Sequence, residues 1–310
     1  MCSHRVPFTD PPLEEVKFSD FSRHNIHFSF LRLDKIHSEL GGNKYYKLKQ
    51  NIDHILTLGR PTVVSFGGAY SNHLRALAAA GKIYSFKTIG FVRGEIVRPL
   101  NPILKFCNEN GMELQEISRE NYRLKSSMNF IRKLRSELGE FYLLPEGGSN
   151  LKALKGCAEI SRLIPNDTNY SLRYITLACG TGLTLSGIVV GATQLERTQA
   201  IGFSVLKAPG YLSREVEGYL SSISEEFCSN SLIPWRVEDE YHCGGYAKKT
   251  PELLEFIERF TQETSVPIEP TYTGKMLYGL SQLLDDGGVE SNTQVIAIHT
   301  GGVYLNRQIF

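Results

Sequence analysis

The chain has 310 residues, with 34 Lys and Arg against 33 Asp and Glu, 41% hydrophobic residues and 22% charged ones. That length gives one large or two ordinary domains and a core that needs no disulfide or metal staple. The charge balance and the 10% aromatic content exclude a broad nucleic-acid footprint and a disordered chain. Thr62 to Phe66 reads as a buried strand, followed by glycines and a helix from Tyr70 to Lys82. Phe86 to Val92 is the next strand, and Asn101-Pro102 opens a helix to about Asn110 with a cap residue and Pro at its first position. Met112 to Ile117 reads as a strand, Arg119 to Leu138 as one long helix, and Phe141 to Leu144 as a strand. A second series follows: helix Leu151 to Leu163, strand Arg173 to Ala178, helix Gly182 to Leu195, strand Ala200 to Leu206 and helix Tyr211 to Glu226. Thr250-Pro251-Glu252 opens another helix, Gly274 to Leu284 is a further one, and Gln294 to His299 is the last strand. This alternation predicts an α/β fold of two units with parallel sheets, and a site at the strand C-termini.

The six cysteines include no C-x-x-C pair, and no metal-ligand spacing is expected. The opening Met-Cys-Ser-His-Arg-Val-Pro is polar and basic, so the cysteines are expected to be reduced and the protein cytoplasmic. The nearest approach to a membrane span, Leu183 to Ala192, is short and broken by Gly187 and Gly191.

The 28 glycines cluster, at 41–42, 67–68, 147–148, 180/182, 244–245 and 301–302, several directly after a strand. Glycine there permits positive φ or close approach of backbone to a ligand. Ala178-Cys-Gly-Thr-Gly-Leu-Thr184 ends a strand and opens a helix, a setting in which backbone N–H groups and the Thr181 and Thr184 hydroxyls make a phosphate cradle. The Gly-Lys-[Ser/Thr] of a Walker loop is missing, Gly187 falls two positions late for a dinucleotide fingerprint, and the strand ending at Lys207 brings no ribose-binding acid. A phosphate monoester fits better than a nucleotide, which argues against a nucleotide-dependent oxidoreductase.

Gly41-Gly-Asn-Lys-Tyr-Tyr-Lys47 sets two lysines three apart, within reach of one small ligand if helical. A lysine attacks a carbonyl when burial or a neighbouring cation lowers its pKa, and Lys47 beside Lys44 is such a cation. Ser65-Phe-Gly-Gly-Ala-Tyr-Ser-Asn-His73 leaves a strand and enters a helix at Ser71 and Asn72, where free N–H groups suit a carboxylate and where either residue also suits a cap.

Together, Gly41-Gly-Asn-Lys44, Gly67-Gly-Ala-Tyr-Ser-Asn-His73, Gly180-Thr-Gly182, Tyr272-Thr-Gly-Lys275 and His299-Thr-Gly-Gly302 resemble the 1-aminocyclopropane-1-carboxylate deaminase/D-cysteine desulfhydrase family. The resemblance implies a pyridoxal-phosphate enzyme of the tryptophan-synthase-β-like fold, with a large domain from 1–47 and 156–310, a small one at 48–155, and a homodimer. It implies that Lys44 holds the cofactor covalently and is the base, and that Lys47, Gly180, Thr181, Gly182 and Thr184 approach its phosphate. Asn72 would meet its phenolic oxygen. Ser71, Asn72 and His73 would bind the substrate carboxylate, with Ser71 and Tyr272 in the catalytic set and Tyr246 as a second substrate-facing tyrosine.

The deaminase branch carries Glu after the active tyrosine and Leu in the His-x-Gly-Gly element, whereas this chain has Thr273 and Thr300, both expected at the cofactor, as in the desulfhydrase branch. A carboxylate facing the pyridine nitrogen keeps it protonated and the ring a strong electron sink; a threonine hydroxyl leaves the sink weaker. Eliminating sulfide from a β-carbon asks less of the sink than opening a cyclopropane ring. The expectation is a lyase acting on a small D-amino acid, best represented by D-cysteine, with the cyclopropane amino acid or another elimination or racemisation as the alternative. An intact Lys44, Asn72 and Tyr272 argues against a non-catalytic sensor. Tyr46 stands where the family carries Arg, and the arm before Lys44 is short.

Overall fold

Val63-Val-Ser-Phe-Gly67 and Arg173 to Cys179 run without polar alternation and are buried at every position, as parallel strands covered on both faces must be. The computed structural model describes residues 7–166, 170–227 and 231–304; Cys2 and Cys228 lie outside the described residues. In chain order the strands are β1 (Leu13–Glu15), β2 (His27–Leu31), β3 (Val63–Gly67), β4 (Thr88–Arg93), β5 (Met112–Ile117), β6 (Tyr142–Leu143), β7 (Arg173–Cys179), β8 (Thr198–Ser204), β9 (Trp235–Glu238) and β10 (Gln294–Ile298).

The chain divides into two units: His37–Ala153, and Phe8–Ile36 with the chain from Leu154 onward. The stretch carrying Lys44 thus packs within the smaller unit. That unit holds a parallel sheet ordered β5-β4-β3-β6. Its core gathers Val64, Phe66, Phe91, Ile131, Leu134 and Phe141, with the Phe66 and Phe91 rings stacked at 5.3 Å.

The larger unit holds a sheet ordered β1-β2-β10-β7-β8-β9, in which β1 runs antiparallel and the other described pairs are parallel. Strand β2 lies beside β10, His27 opposite Gln294 and Leu31 opposite Ile298. The alternation of β2 puts Phe28 and Phe30 into an aromatic cluster with Phe18, Phe21, Phe256 and Phe260. Phe18 meets Phe21 and Phe260 edge-on at 5.2 and 4.9 Å, pairs that each add about 0.5–1.5 kcal/mol beyond burial.

The strand–helix rhythm matches the expected α/β architecture, with β1, β2 and β9 added to the expected strands and two of the expected helices altered. Arg119 to Leu138 is two helices, Arg119–Arg123 and Met128–Leu138, each with its own serine cap: Ser118 accepts from the Asn121 N–H and Ser127 from the Phe130 N–H. Ser127 offers that N–H an acceptor outside the helix ladder, so the helix restarts there. The helix at Leu151 ends at Ala158 and tightens into a 3-10 segment, Glu159–Leu163.

Helix Leu183–Gly191 is buried from Leu183 to Val190 and packs on the chain at residues 157–158 through its glycines. A Cβ on Gly187 would stand 2.4 Å from Cys157 Cβ, and one on Gly191 2.1 Å from the Ala158 carbonyl oxygen. No helix among the described residues is long and apolar enough to cross a membrane.

Candidate active site

In the smaller unit, Gly42 takes φ 73° and releases the chain into helix Asn43–Thr57. Lys44 and Lys47 sit one turn apart on it and converge on one carbonyl: Nζ of Lys44 lies 3.5 Å and Nζ of Lys47 3.3 Å from the Gly147 oxygen. Lys47 is 2% exposed and also reaches Ser149 Oγ at 3.4 Å. Gly147 and Gly148 both take positive φ, at 70° and 72°. Their loop is pinned by an amide pair, buried Asn51 and half-buried Asn150. Asn51 Nδ2 donates to the Lys47 carbonyl and to Asn150 Oδ1, while Asn51 Oδ1 accepts from Asn150 Nδ2 and the Tyr142 hydroxyl, each at 2.8 Å. The sequence pattern singles out the Gly147-Gly148 doublet, directly after a strand, but not Asn51, Ser149 or Asn150.

Strand β3 delivers the second segment. Ser71 caps helix Asn72–Tyr84, its Oγ accepting from the Leu74 N–H at 3.2 Å. A Cβ on Gly67 would fall 2.6 Å from that Oγ, so the turn requires glycine there. Ser71 and Asn72 are half-buried and His73 is buried.

The neighbours of His73 settle its tautomer. The Ser65 hydroxyl donates to the Leu144 carbonyl at 2.8 Å and has one hydrogen to give, so it accepts from His73 Nε2, also at 2.8 Å. Nε2 therefore carries the proton, and Nδ1 is a bare lone pair with no hydrogen-bond partner. Burial, then the charges of Lys44 and Lys47, hold this imidazole well below its ordinary pKa. His73 is a neutral acceptor, suited to an N–H, O–H or S–H.

In the larger unit, β7 ends at Cys179 and Gly180-Thr181-Gly182 leads into helix Leu183–Gly191. Gly182 takes φ 73° and no side chain caps the helix, the kind of helix start that suits an anion. Thr184 is buried in the first turn. The Tyr272 ring lies against Gly180, where a Cβ would stand 3.4 Å from Tyr272 Cε1. The Tyr272 hydroxyl is 3.4 Å from that of Tyr246, the rings at 71° with centroids 6.1 Å apart.

Tyr272 is held from behind by a residue that no sequence motif marks. Glu269 is 5% exposed, and its carboxylate accepts the N–H groups of Thr271, Tyr272 and Thr273 at 2.6, 2.8 and 2.8 Å. Burial raises its pKa against the lowering effect of those bonds. Thr273 is fully buried and its Oγ1 has no hydrogen-bond partner. Half-buried Thr300 follows His299 after β10. His299 Nε2 lies 2.9 Å from the Pro267 carbonyl, which can only accept, so Nδ1 takes the Gly301 N–H at 3.3 Å. Burial outweighs Asp34, 3.4 Å from that Nδ1, and lowers the His299 pKa. No cluster of His, Cys, Asp or Glu among the described residues could hold a metal ion.

Two buried neutral histidines give the fold an acid sensitivity of definite sign. An unfolded histidine titrates near 6.5, so below about pH 6.5 the unfolded chain binds more protons than the folded one and stability falls with pH. Urea titrations between pH 7.5 and 5 should show a shallower fall for His73→Gln than for the parent chain.

The chain matches the family model described as "Pyridoxal-phosphate dependent enzyme" over residues 9–301. It is 31% identical, over 85% of its length and 84% of the other's, to a Thermotoga maritima protein provisionally named 1-aminocyclopropane-1-carboxylate deaminase. It is 30% identical to the mitochondrial bifunctional D-cysteine desulfhydrase/1-aminocyclopropane-1-carboxylate deaminase of Arabidopsis thaliana, over 86% of this chain and 69% of that one. Among solved structures it superposes on an ACC deaminase homologue with a TM-score of 0.81 at 22% identity, covering 96% of this chain and 93% of that one.

Proposed function

Since the chain belongs to the pyridoxal-phosphate-dependent enzymes, as a lyase of the 1-aminocyclopropane-1-carboxylate deaminase/D-cysteine desulfhydrase type, we propose that its substrate is D-cysteine, cleaved to pyruvate, hydrogen sulfide and ammonia. The observation that carries this reading is Thr273, a buried hydroxyl without a partner where the deaminase branch carries Glu. Glu269 is no substitute for that carboxylate, because both its oxygens are engaged by backbone N–H groups.

On this reading the larger unit would offer the uncapped helix start at Gly182, with Thr181 and Thr184, to the cofactor phosphate, Thr273 Oγ1 to its ring nitrogen and Thr300 to its ring edge, and the smaller unit would offer Asn72 for its phenolic oxygen and Lys44 for its carbonyl. When bound, pyridoxal phosphate supplies that carbonyl and an electron sink for charge developing at Cα. Lys47, tied to Gly147 and Ser149, supplies fixed positive charge. Lys44 takes the Cα proton as general base. Ser71 and Asn72 hold the substrate carboxylate at their helix start. His73, with its bare Nδ1, accepts a hydrogen bond from a substrate donor rather than binding that carboxylate. Tyr272 gives its proton to the departing sulfur, Tyr246 completing the polar wall. The C–S bond breaks, and the released 2-aminoacrylate takes up water to give pyruvate and ammonia.

A pyruvate-release screen over D- and L-cysteine, D-serine, β-chloro-D-alanine and the cyclopropane amino acid tests the reading. D-cysteine should give the highest kcat/KM; a higher value for the cyclopropane amino acid, the second reading favoured by the names of the relatives, overturns it. Thr273→Glu should shift preference toward the cyclopropane amino acid by roughly tenfold or more, about 1.4 kcal/mol in relative barrier; an unchanged ratio refutes the electronic argument. The reading also includes a homodimer in the cytoplasm. Sedimentation equilibrium and the location of the tagged chain check these.

A further inference from the structure

Lys275 is fully buried, three residues after Tyr272 on helix Thr273–Asp285. Its Nζ donates to the Gly245 carbonyl at 2.6 Å. That carbonyl also accepts the Lys248 N–H, closing a turn around Tyr246. The backbone here is unusual: Cys243, Gly244, Gly245 and Ala247 take φ of 50°, 87°, 110° and 57°. A loop with so many left-handed residues does not hold its shape by local preference; it persists because its surroundings determine it. Lys275 is the buried donor that reaches into it.

Glu269 does the same for the other tyrosine. Its carboxylate collects the N–H groups of Thr271, Tyr272 and Thr273 and so fixes the backbone of Tyr272. One buried acid and one buried base, six positions apart, each spend their hydrogen bonds on the main chain beside one phenol. Glycine is required where this assembly is tightest: a Cβ on Gly274 would stand 2.6 Å from Ile257 Cδ1 and 2.8 Å from the Glu269 carbonyl oxygen.

We propose that Lys275 and Glu269 are positioning residues that set the separation of the Tyr246 and Tyr272 hydroxyls, and that this separation selects small amino acids whose β-substituent leaves with a proton. The selectivity half rests on the functional reading above, in which both phenols face the substrate; the positioning half does not. Misplacement of a catalytic group by about 1 Å costs up to roughly a hundredfold in rate, which sets the size of effect to look for.

The experiment separates the halves. In the cofactor-free chain with 13Cζ-labelled tyrosine, assigned through Tyr246→Phe and Tyr272→Phe, Lys275→Met should move the Tyr246 resonance and leave that of Tyr272. Glu269→Gln should do the reverse. Equal movement of both resonances by both variants, or movement of neither, overturns the positioning role. If Lys275→Met fails to fold, Lys275→Arg, which keeps a donor to the Gly245 carbonyl, should hold the Tyr246 resonance closer to its parent position than Lys275→Gln does, and the reverse order counts against the proposal. In the loaded enzyme, Lys275→Met should lower kcat/KM for D-cysteine by about 10- to 100-fold with most of the loss in kcat. In the Tyr246→Phe background it should cause no further loss. The same loss in both backgrounds overturns the selectivity role. If the functional reading itself fails, Tyr246→Phe and Tyr272→Phe leave turnover of every screened amino acid unchanged while the resonance pattern still stands.

Discussion

Lys44→Ala should lose turnover by about a thousandfold or more and, with it, the visible absorbance of the purified enzyme. Lys47 cannot take over. Its ammonium is buried against Gly147 and Ser149, and reaching any other group would strand it from both. Lys44 reaches the same carbonyl at 3.5 Å and is half-buried. Lys47→Ala should give a different phenotype: weaker cofactor retention, recovered at high cofactor concentration, with kcat less affected than in Lys44→Ala. Absorbance after gel filtration and single-turnover assays at saturating cofactor distinguish the two. A coloured, active Lys44→Ala enzyme would refute the assignment.

Gly191→Ala should cost about 1–3 kcal/mol of stability in the larger unit. Intrinsic preference alone predicts the opposite, because Ala is favoured over Gly inside a helix by about 0.5–1 kcal/mol. Sterics decide the sign. The new Cβ would meet the Ala158 carbonyl oxygen, carbonyl carbon and Cα at 2.1, 2.8 and 2.9 Å, all backbone atoms that cannot rotate away. Gly218, in helix Tyr211–Phe227, has open space there instead, with nothing within 4 Å of where a Cβ would stand. Gly218→Ala should therefore stabilise by about 0.5–1 kcal/mol. Urea midpoints at unchanged m-value test both; midpoints moving in the same direction would refute the packing argument.

Much of the proposed site is legible in the sequence because each of its segments is local. Lys44 and Lys47 share a helix turn, Ser71 caps the helix that Asn72 and His73 begin, and Gly180-Thr181-Gly182 joins a strand to a helix. Each needs only a few neighbouring residues to be recognised. What stays hidden depends on partners distant in sequence. The Asn51–Asn150 amide pair joins residues nearly a hundred positions apart, and the Lys275 contact with Gly245 joins two segments that share no motif. The tautomer of His73 is hidden for the same reason, since it is dictated by a hydroxyl on β3 and a carbonyl just after β6. In the fold, β1 and β9 are short and half-exposed, so neither carries a strong apolar pattern. Helix Asn43–Thr57 shows in the sequence only through the spacing of its lysines, because six of its fifteen residues are buried and the polar ones obscure the stripe.

The pairing of β2 with β10 sets a timetable for synthesis. His37–Ala153 contains all four strands of its sheet and can close as soon as it has emerged. Strand β2 is made early, yet its neighbour β10 arrives only at Gln294–Ile298. At about 5–20 residues per second the wait is on the order of 10–60 s. For most of it, Phe18, Phe21, Phe28 and Phe30 are without Phe256 and Phe260, the rings that complete their cluster. A nascent chain stalled after the smaller unit should therefore bind an apolar-peptide chaperone through residues 18–30, and one released after β10 should not.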